Sequence, residues 1–131
     1  MVLPIDVTVE DGVNGVSRKL DEIQKKDVIV DVGPKTRQSF YDLVKGKKFI
    51  VLNGPVGWYE KGYDKGTKKL LKILSDSKAK VIIGGGDTVA LASKMHLGNT
   101  FHFTSTGGGA MLDYIIDGKL PGIEALKKNK K

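Results

Sequence analysis

The sequence predicts an α/β fold: a doubly wound, Rossmann-like, mostly parallel sheet of about five strands with helices on both faces. Three observations lead there. Short runs such as Phe49–Leu52 and Val81–Ile83 are apolar at every position, as in strands covered on both faces. From residue 28 these runs alternate with segments of helical spacing. Two of them end in triple glycines, Gly84-Gly85-Gly86 and Gly107-Gly108-Gly109, where open α/β sheets bind phosphate.

Taken in order, Val2–Val9 reads as a strand, placed near a sheet edge because of Pro4. A strand directly after Met1 suggests that the chain begins inside a domain. Asn14–Lys26 is polar and reads as a turn or short helix around Leu20 and Ile23. Val28–Val32 is the second strand, closed by Gly33-Pro34. Thr36 has the look of a helix N-cap, with Phe40, Leu43 and Val44 on one face and Gly46 as the stop. Phe49–Leu52 is the third strand, and Asn53-Gly54-Pro55-Val56-Gly57 leaves it as a loop. Tyr63–Leu74 turns Leu70, Leu71, Ile73 and Leu74 inward and its lysines outward. Val81–Ile83 is followed by a helix from Asp87 to about His96. Phe101–Thr104 precedes the second glycine turn and its helix, and Leu120-Pro121-Gly122 begins a last helical segment.

At 131 residues the chain is one domain with room for a core. A composition of 40% hydrophobic and 28% charged residues excludes a disordered chain. No apolar run approaches the roughly 18–20 residues that span a membrane, and no signal peptide is evident. Cysteine is absent, which excludes disulfides and thiolate metal sites and fits a cytoplasmic enzyme. The net charge is +7, and a lysine-rich tail at 127–131 carries much of it. Without interleaved arginine and aromatic residues, this charge gives no nucleic-acid footprint.

Phosphate chemistry is the strongest local signal. Gly84, Gly85 and Gly86 allow backbone N–H groups to approach an anion at a helix start. Asp87 would either cap that helix or hold a divalent cation between itself and a phosphate, Mg²⁺ being usual with nucleotides. Thr88 offers a hydroxyl to a phosphate or a second cap bond. Gly107, Gly108 and Gly109 repeat the arrangement and read as a second phosphate contact, a flexible loop or a site of close packing. Glu60 follows a strand end at the same side of the sheet, where a carboxylate binds ribose hydroxyls or simply begins the next helix. His96 and His102 lack metal-ligand spacing. Lys65-Gly66-Thr67 lacks the glycine loop of a Walker motif.

The ordered set Asn53-Gly54-Pro55-Val56-Gly57, Gly84-Gly85-Gly86-Asp87-Thr88, Ser105-Thr106-Gly107-Gly108-Gly109-Ala110 and Leu120-Pro121-Gly122-Ile123-Glu124 resembles phosphoglycerate kinase. Leu3-Pro4-Ile5-Asp6 and Asp31-Val32-Gly33-Pro34-Lys35-Thr36 fit the same family. The resemblance implies residues 1–131 as the later part of a C-terminal, nucleotide-binding domain. It implies Mg²⁺ with ATP or ADP as the cofactor. The reaction it implies is reversible phosphoryl transfer between 1,3-bisphosphoglycerate and ADP, in glycolysis. Gly84, Gly85, Gly86 and Thr88 would lie at the nucleotide phosphates, with Gly107 and Gly108 opposite. Asp87 would bind magnesium, and Glu60 would hold ribose with Asn53 and Pro55 nearby. Gly109 and Gly86 would face the transferring phosphoryl group.

The resemblance also marks departures. The glycine-alanine-lysine segment of the family and its N-terminal domain, through which 3-phosphoglycerate would bind, do not occur in this sequence. Ile29 stands where the family usually has glycine, Trp58 where it often has a smaller apolar residue, and Leu52 where tryptophan is common. The chain alone is therefore expected not to catalyse transfer, and self-association or pairing with another chain is expected. The alternative is a non-catalytic nucleotide-binding module that acts through such pairing. Neither nucleic acid nor a membrane is an expected partner.

Overall fold

A computed structural model describes residues 1–12 and 14–129. The order is β1 (Asp6–Val9), β2 (Val16–Lys19), β3 (Ile29–Val32), α1 (Pro34–Val44), β4 (Phe49–Asn53), α2 (Lys65–Ser75), β5 (Lys80–Gly84), α3 (Gly86–Lys94), β6 (Phe103–Ser105), α4 (Gly108–Asp117) and α5 (Pro121–Lys128). The α/β class and the alternation from residue 28 onward are as expected. The strands divide into two sheets: an antiparallel one in the order β2-β1-β3 and a parallel one in the order β4-β5-β6. Lys127 and Lys128 of the expected tail lie in α5, where Lys127 pairs with Glu124 at 2.9 Å; Lys130 and Lys131 fall outside the described residues.

Three local expectations are corrected. The first strand is central, with β2 and β3 on either side. Pro4 does not oppose this, because it precedes the paired residues Asp6–Val9 and leaves no gap in the ladder. Val16–Lys19 forms β2 although its sequence, Val-Ser-Arg-Lys, carries little strand pattern; pairing with β1 supplies what local preference does not. Gly33, not Thr36, is the N-cap of α1, with Pro34 in its first turn.

Thr36 instead takes part in a buried knot that ties β1 to α1. Its hydroxyl bonds Asp6 Oδ1 at 2.8 Å and accepts from Ile5 N at 2.9 Å. Asp6 is 2% exposed, and its carboxylate accepts from Lys35 N at 3.0 Å, Thr36 N at 2.8 Å and the Ser17 hydroxyl at 3.4 Å. It thus serves the free N–H groups of the first turn of α1 from a distant strand. Asp31 does the same for α2, accepting from Gly66 N at 2.9 Å while buried on β3.

The main core lies on one face of the parallel sheet. Ile50, Leu52, Val81 and Ile83 pack there against Leu71 and Leu74 of α2 and Leu91 and Ala92 of α3. The strand register puts Phe49, Val51, Ile82 and Phe103 together on the other face. Met111 of α4 lies over Gly84 at one end of that face. Beyond it, Phe49 and Phe103 are each 55% exposed, and Ile115 on α4 is 51% exposed.

The two buried carboxylates act oppositely in acid. Burial pushes Asp6 up, but its four donors together outweigh burial and hold it below the ordinary carboxylate value. Its contribution is present above the unfolded pKa and is lost as pH falls through the lowered folded pKa. Burial pushes Asp31 above its ordinary value despite the N–H groups of Gly66 and Val32. It therefore favours folding below the unfolded pKa and loses that effect as pH rises through the folded one. Asp6→Asn should cost about 1–3 kcal/mol at neutral pH and flatten the acid limb of stability below about pH 4. Urea denaturation as a function of pH measures both; an unchanged acid limb would show that Asp6 does not drive acid unfolding.

Candidate functional site

The sequence-predicted residues converge at the carboxyl end of the parallel sheet. Asn53 ends β4, Gly84 ends β5 and Ser105 ends β6. The loops that follow are joined by backbone bonds: Gly54 N donates to Gly84 O at 2.9 Å, and Gly85 N to Ser105 O at 3.0 Å.

This meeting needs glycine for two different reasons. Gly85, the N-cap of α3, has φ +94°, a conformation that L side chains rarely adopt. Gly108, the first residue of α4, has no room for a side chain: a Cβ there would lie 3.0 Å from Gly85 N and would collide with Asn53 Oδ1. A Cβ on Gly84 would collide with the same Asn53 oxygen and with Met111. Gly86 and Gly109 differ, because a Cβ at either would meet nothing within 4 Å. Gly84, Gly85 and Gly108 therefore build the site, whereas Gly86 and Gly109 border open space.

That open space is edged by hydrogen-bond donors. In α1 and α2, buried carboxylates from β1 and β3 satisfy first-turn N–H groups. Neither α3 nor α4 has a side-chain cap. Among the described residues, the N–H groups of Gly86, Asp87, Gly109 and Ala110 bond no protein acceptor. Two helix N-termini thus face the same region with free donors and aligned dipoles, which together favour an anion.

Asp87 lies exposed in the first turn of α3 and makes no side-chain hydrogen bond among the described residues, so it does not cap the helix. The Thr88 hydroxyl is buried without a partner. Among the described residues no three His, Cys, Asp or Glu side chains form a metal cluster. One free carboxylate beside donors that favour an anion fits Mg²⁺, which takes one or two carboxylates and completes its shell with phosphate oxygens and water.

The remaining predicted residues lie in the loop and short turn that follow β4. Pro55 is half-buried in the loop after β4. Thr67, fully buried on α2, anchors that loop by accepting from Val56 N at 3.1 Å. The Lys65-Gly66-Thr67 segment is thus a structural support: Gly66 approaches Asp31 and Thr67 holds the loop. Glu60 lies in a short 3-10 turn, where its carboxylate accepts from Trp58 Nε1 at 3.1 Å. Lys61 stacks 4.1 Å above the same indole. Lys94, at the end of α3, donates to the Tyr59 hydroxyl at 2.8 Å and joins this segment to the glycine-turn helix. Sequence reasoning gave no such role to Thr67, Met111 or Lys94. Each acts across a long stretch of chain, and no local pattern marks it.

The match to known proteins covers this whole arrangement. The sequence model of a family described as phosphoglycerate kinase matches residues 1–119. This chain belongs to the phosphoglycerate kinase family. It is 39% identical to phosphoglycerate kinase of Wigglesworthia glossinidia brevipalpis over 136 aligned positions, covering all of this chain and 34% of that one. The fold matches phosphoglycerate kinase of Coxiella burnetii with a TM-score of 0.80 at 36% identity, covering 99% of this chain and 35% of the other. It matches the Pyrococcus horikoshii enzyme with a TM-score of 0.80 at 30% identity, over 95% and 32% of the two chains. The chain spans about a third of the length of these phosphoglycerate kinases.

The two kinds of glycine separate experimentally. Gly108→Ala should lower stability by about 1–3 kcal/mol through overpacking. Gly86→Ala should leave stability unchanged or slightly raised, since the site is open and alanine favours helix. Equilibrium urea unfolding of the two variants tests this; equal losses would contradict the division.

Proposed function

We propose that this chain is the Mg-nucleotide-binding part of a phosphoglycerate kinase, the glycolytic enzyme that moves a phosphoryl group between 1,3-bisphosphoglycerate and ADP in the cytoplasm. The observation that carries this reading is the pair of uncapped helix N-termini, at Gly86 and Gly108, joined through Gly85 and Ser105. It gives the family resemblance a physical basis: donors aimed at an anion, with a free carboxylate beside them.

In this reading the free N–H groups of Gly86 and Asp87 and the Thr88 hydroxyl bind the nucleotide phosphates, and Gly85, whose own N–H is taken by Ser105 O, shapes the turn against them. Asp87 holds Mg²⁺, which neutralises phosphate charge when bound. Gly107, Gly108 and Gly109 close the opposite side, and the Gly109 N–H stabilises charge on the transferring group. Asn53 and Pro55 line the same edge, and Glu60 holds the ribose. Phosphoryl transfer depends on positioning and charge neutralisation. The glycine-alanine-lysine segment and N-terminal domain of the family do not occur in this sequence, so in this reading these residues bind nucleotide without turning it over.

A second reading, a nucleotide-binding module that works by pairing with another chain, is favoured by the open sheet face at Phe49, Val51 and Phe103. Both edges of the parallel sheet, β4 and β6, are likewise unpaired among the described strands.

Calorimetric titration with ADP should show binding that requires Mg²⁺ and weakens at least about tenfold in Asp87→Ala. Trp58 is the single tryptophan and is hydrogen-bonded to Glu60, so its emission should shift as nucleotide binds and should not in Glu60→Ala. Metal-independent binding would overturn the role of Asp87, and an unchanged emission would overturn that of Glu60. Sedimentation of the chain should show association that Val51→Lys with Phe103→Lys abolishes. A wild-type monomer at all concentrations would remove the pairing reading.

A further inference from the structure

The amino end of the parallel sheet carries a feature that nucleotide binding leaves unused. There a cleft of about 580 Å³ opens between the C-terminal ends of α1 and α2 and the start of β5. This is a volume typical of small-molecule sites. Its floor is apolar: Val44 is buried, Ile73 is half-buried, and the Tyr41 ring forms a wall. Around it stand Lys45, Lys47, Lys48, Lys78 and Lys80, with Asp76 as the single lining acid.

Two ordinary explanations for this charge fail. The first is ion pairing. Lys19, Lys61, Lys68 and Lys127 form ion pairs, but among the described residues none of the five cleft lysines does. The second is service to helix C-termini, which attract cations to their free carbonyls. At the end of α1, Lys45 N bonds Tyr41 O and Lys47 N bonds Val44 O. At the end of α2, Asp76 N bonds Lys72 O and Ser77 N bonds Leu74 O, with the Ser75 and Ser77 hydroxyls on the same two carbonyls. Two of the last four carbonyls at each end are thus bonded by the chain itself, and among the described residues no lysine ammonium of the cleft bonds any of them. What remains is uncompensated like charge around an apolar hollow, which costs self-repulsion and attracts an anion.

We propose that this cleft binds a small amphiphilic phosphate, an organic anion whose apolar body rests on Val44, Ile73 and Tyr41 while the rim lysines hold its charge. The apolar floor distinguishes this ligand from inorganic phosphate. The compact hollow and short rim distinguish it from a polyanion, which binds along an extended basic track. The site is independent of the glycine turns, which lie at the opposite end of the same strands.

The test is titration of the full, isotope-labelled chain with 1-naphthyl phosphate, followed by amide chemical shifts and calorimetry. Saturable binding is expected, with shifts confined to residues 41–48 and 73–80. Lys45→Glu with Lys78→Glu, both exposed, should weaken it at least about tenfold, whereas Asp87→Ala should leave it unchanged. Short-chain lysophosphatidic acid below its critical micelle concentration should compete if the natural source is a lipid. If only the aryl phosphate binds, the source is a free metabolite. Equal affinity for inorganic phosphate would overturn the proposal, as would tighter binding of a short oligonucleotide at the same amides. Shifts centred on Phe49 and Phe103, or on the glycine turns, would overturn it too, as would no saturable binding.

Discussion

Three strand ends meet at the top of the parallel sheet more closely than side chains allow, and the rest of the site depends on that approach. Gly84 and Gly108 lie against the Asn53 amide, and Gly108 lies against the backbone of Gly85. Because these positions lack a Cβ, α3 and α4 can begin side by side. Because they begin side by side, their free N–H groups share one region of space, and neither helix requires a cap from its own sequence. A side chain at Gly108 would part the two helices and separate the donors, whatever happened to Asp87 or Thr88.

The contrast with α1 and α2 gives this arrangement its meaning. Those helices also lack local side-chain caps, yet buried carboxylates close their first turns: Asp6 from β1 and Asp31 from β3. The same two residues fasten the antiparallel sheet to the helices, helped by the bond from Trp58 N to Val30 O at 2.7 Å. Acid groups inside apolar strands are costly unless donors satisfy them. Here they are satisfied by helix ends that would otherwise go unserved. One pair of N-termini is thus closed by buried carboxylates, and the other pair has no side-chain cap.

The parallel sheet is covered unequally. One face holds the core with α2 and α3, and the other keeps Phe49, Val51 and Phe103 in contact with water beyond the reach of Met111. A chain that spans about a third of the related enzymes exposes, on that face, surface of the kind that a folded protein usually buries. The two ends of the same strands also differ in chemistry: backbone donors at the carboxyl end, lysine ammoniums around an apolar floor at the amino end.

By itself the sequence determined the α/β class, the strand–helix alternation from Val28 onward and the glycine turns. Hydrophobic period and glycine runs are local signals, readable within a few residues. The tertiary structure alone decided that β1 is central, that Val16–Lys19 pairs as a strand, and that Thr36 joins Asp6 rather than capping its helix. It also separated the glycines that build the site, Gly84, Gly85 and Gly108, from those that border open space, Gly86 and Gly109. Each of these depends on a partner distant in the chain. Such pairings are set by which groups need a hydrogen bond, or have no room for a Cβ, once the backbone has closed around them.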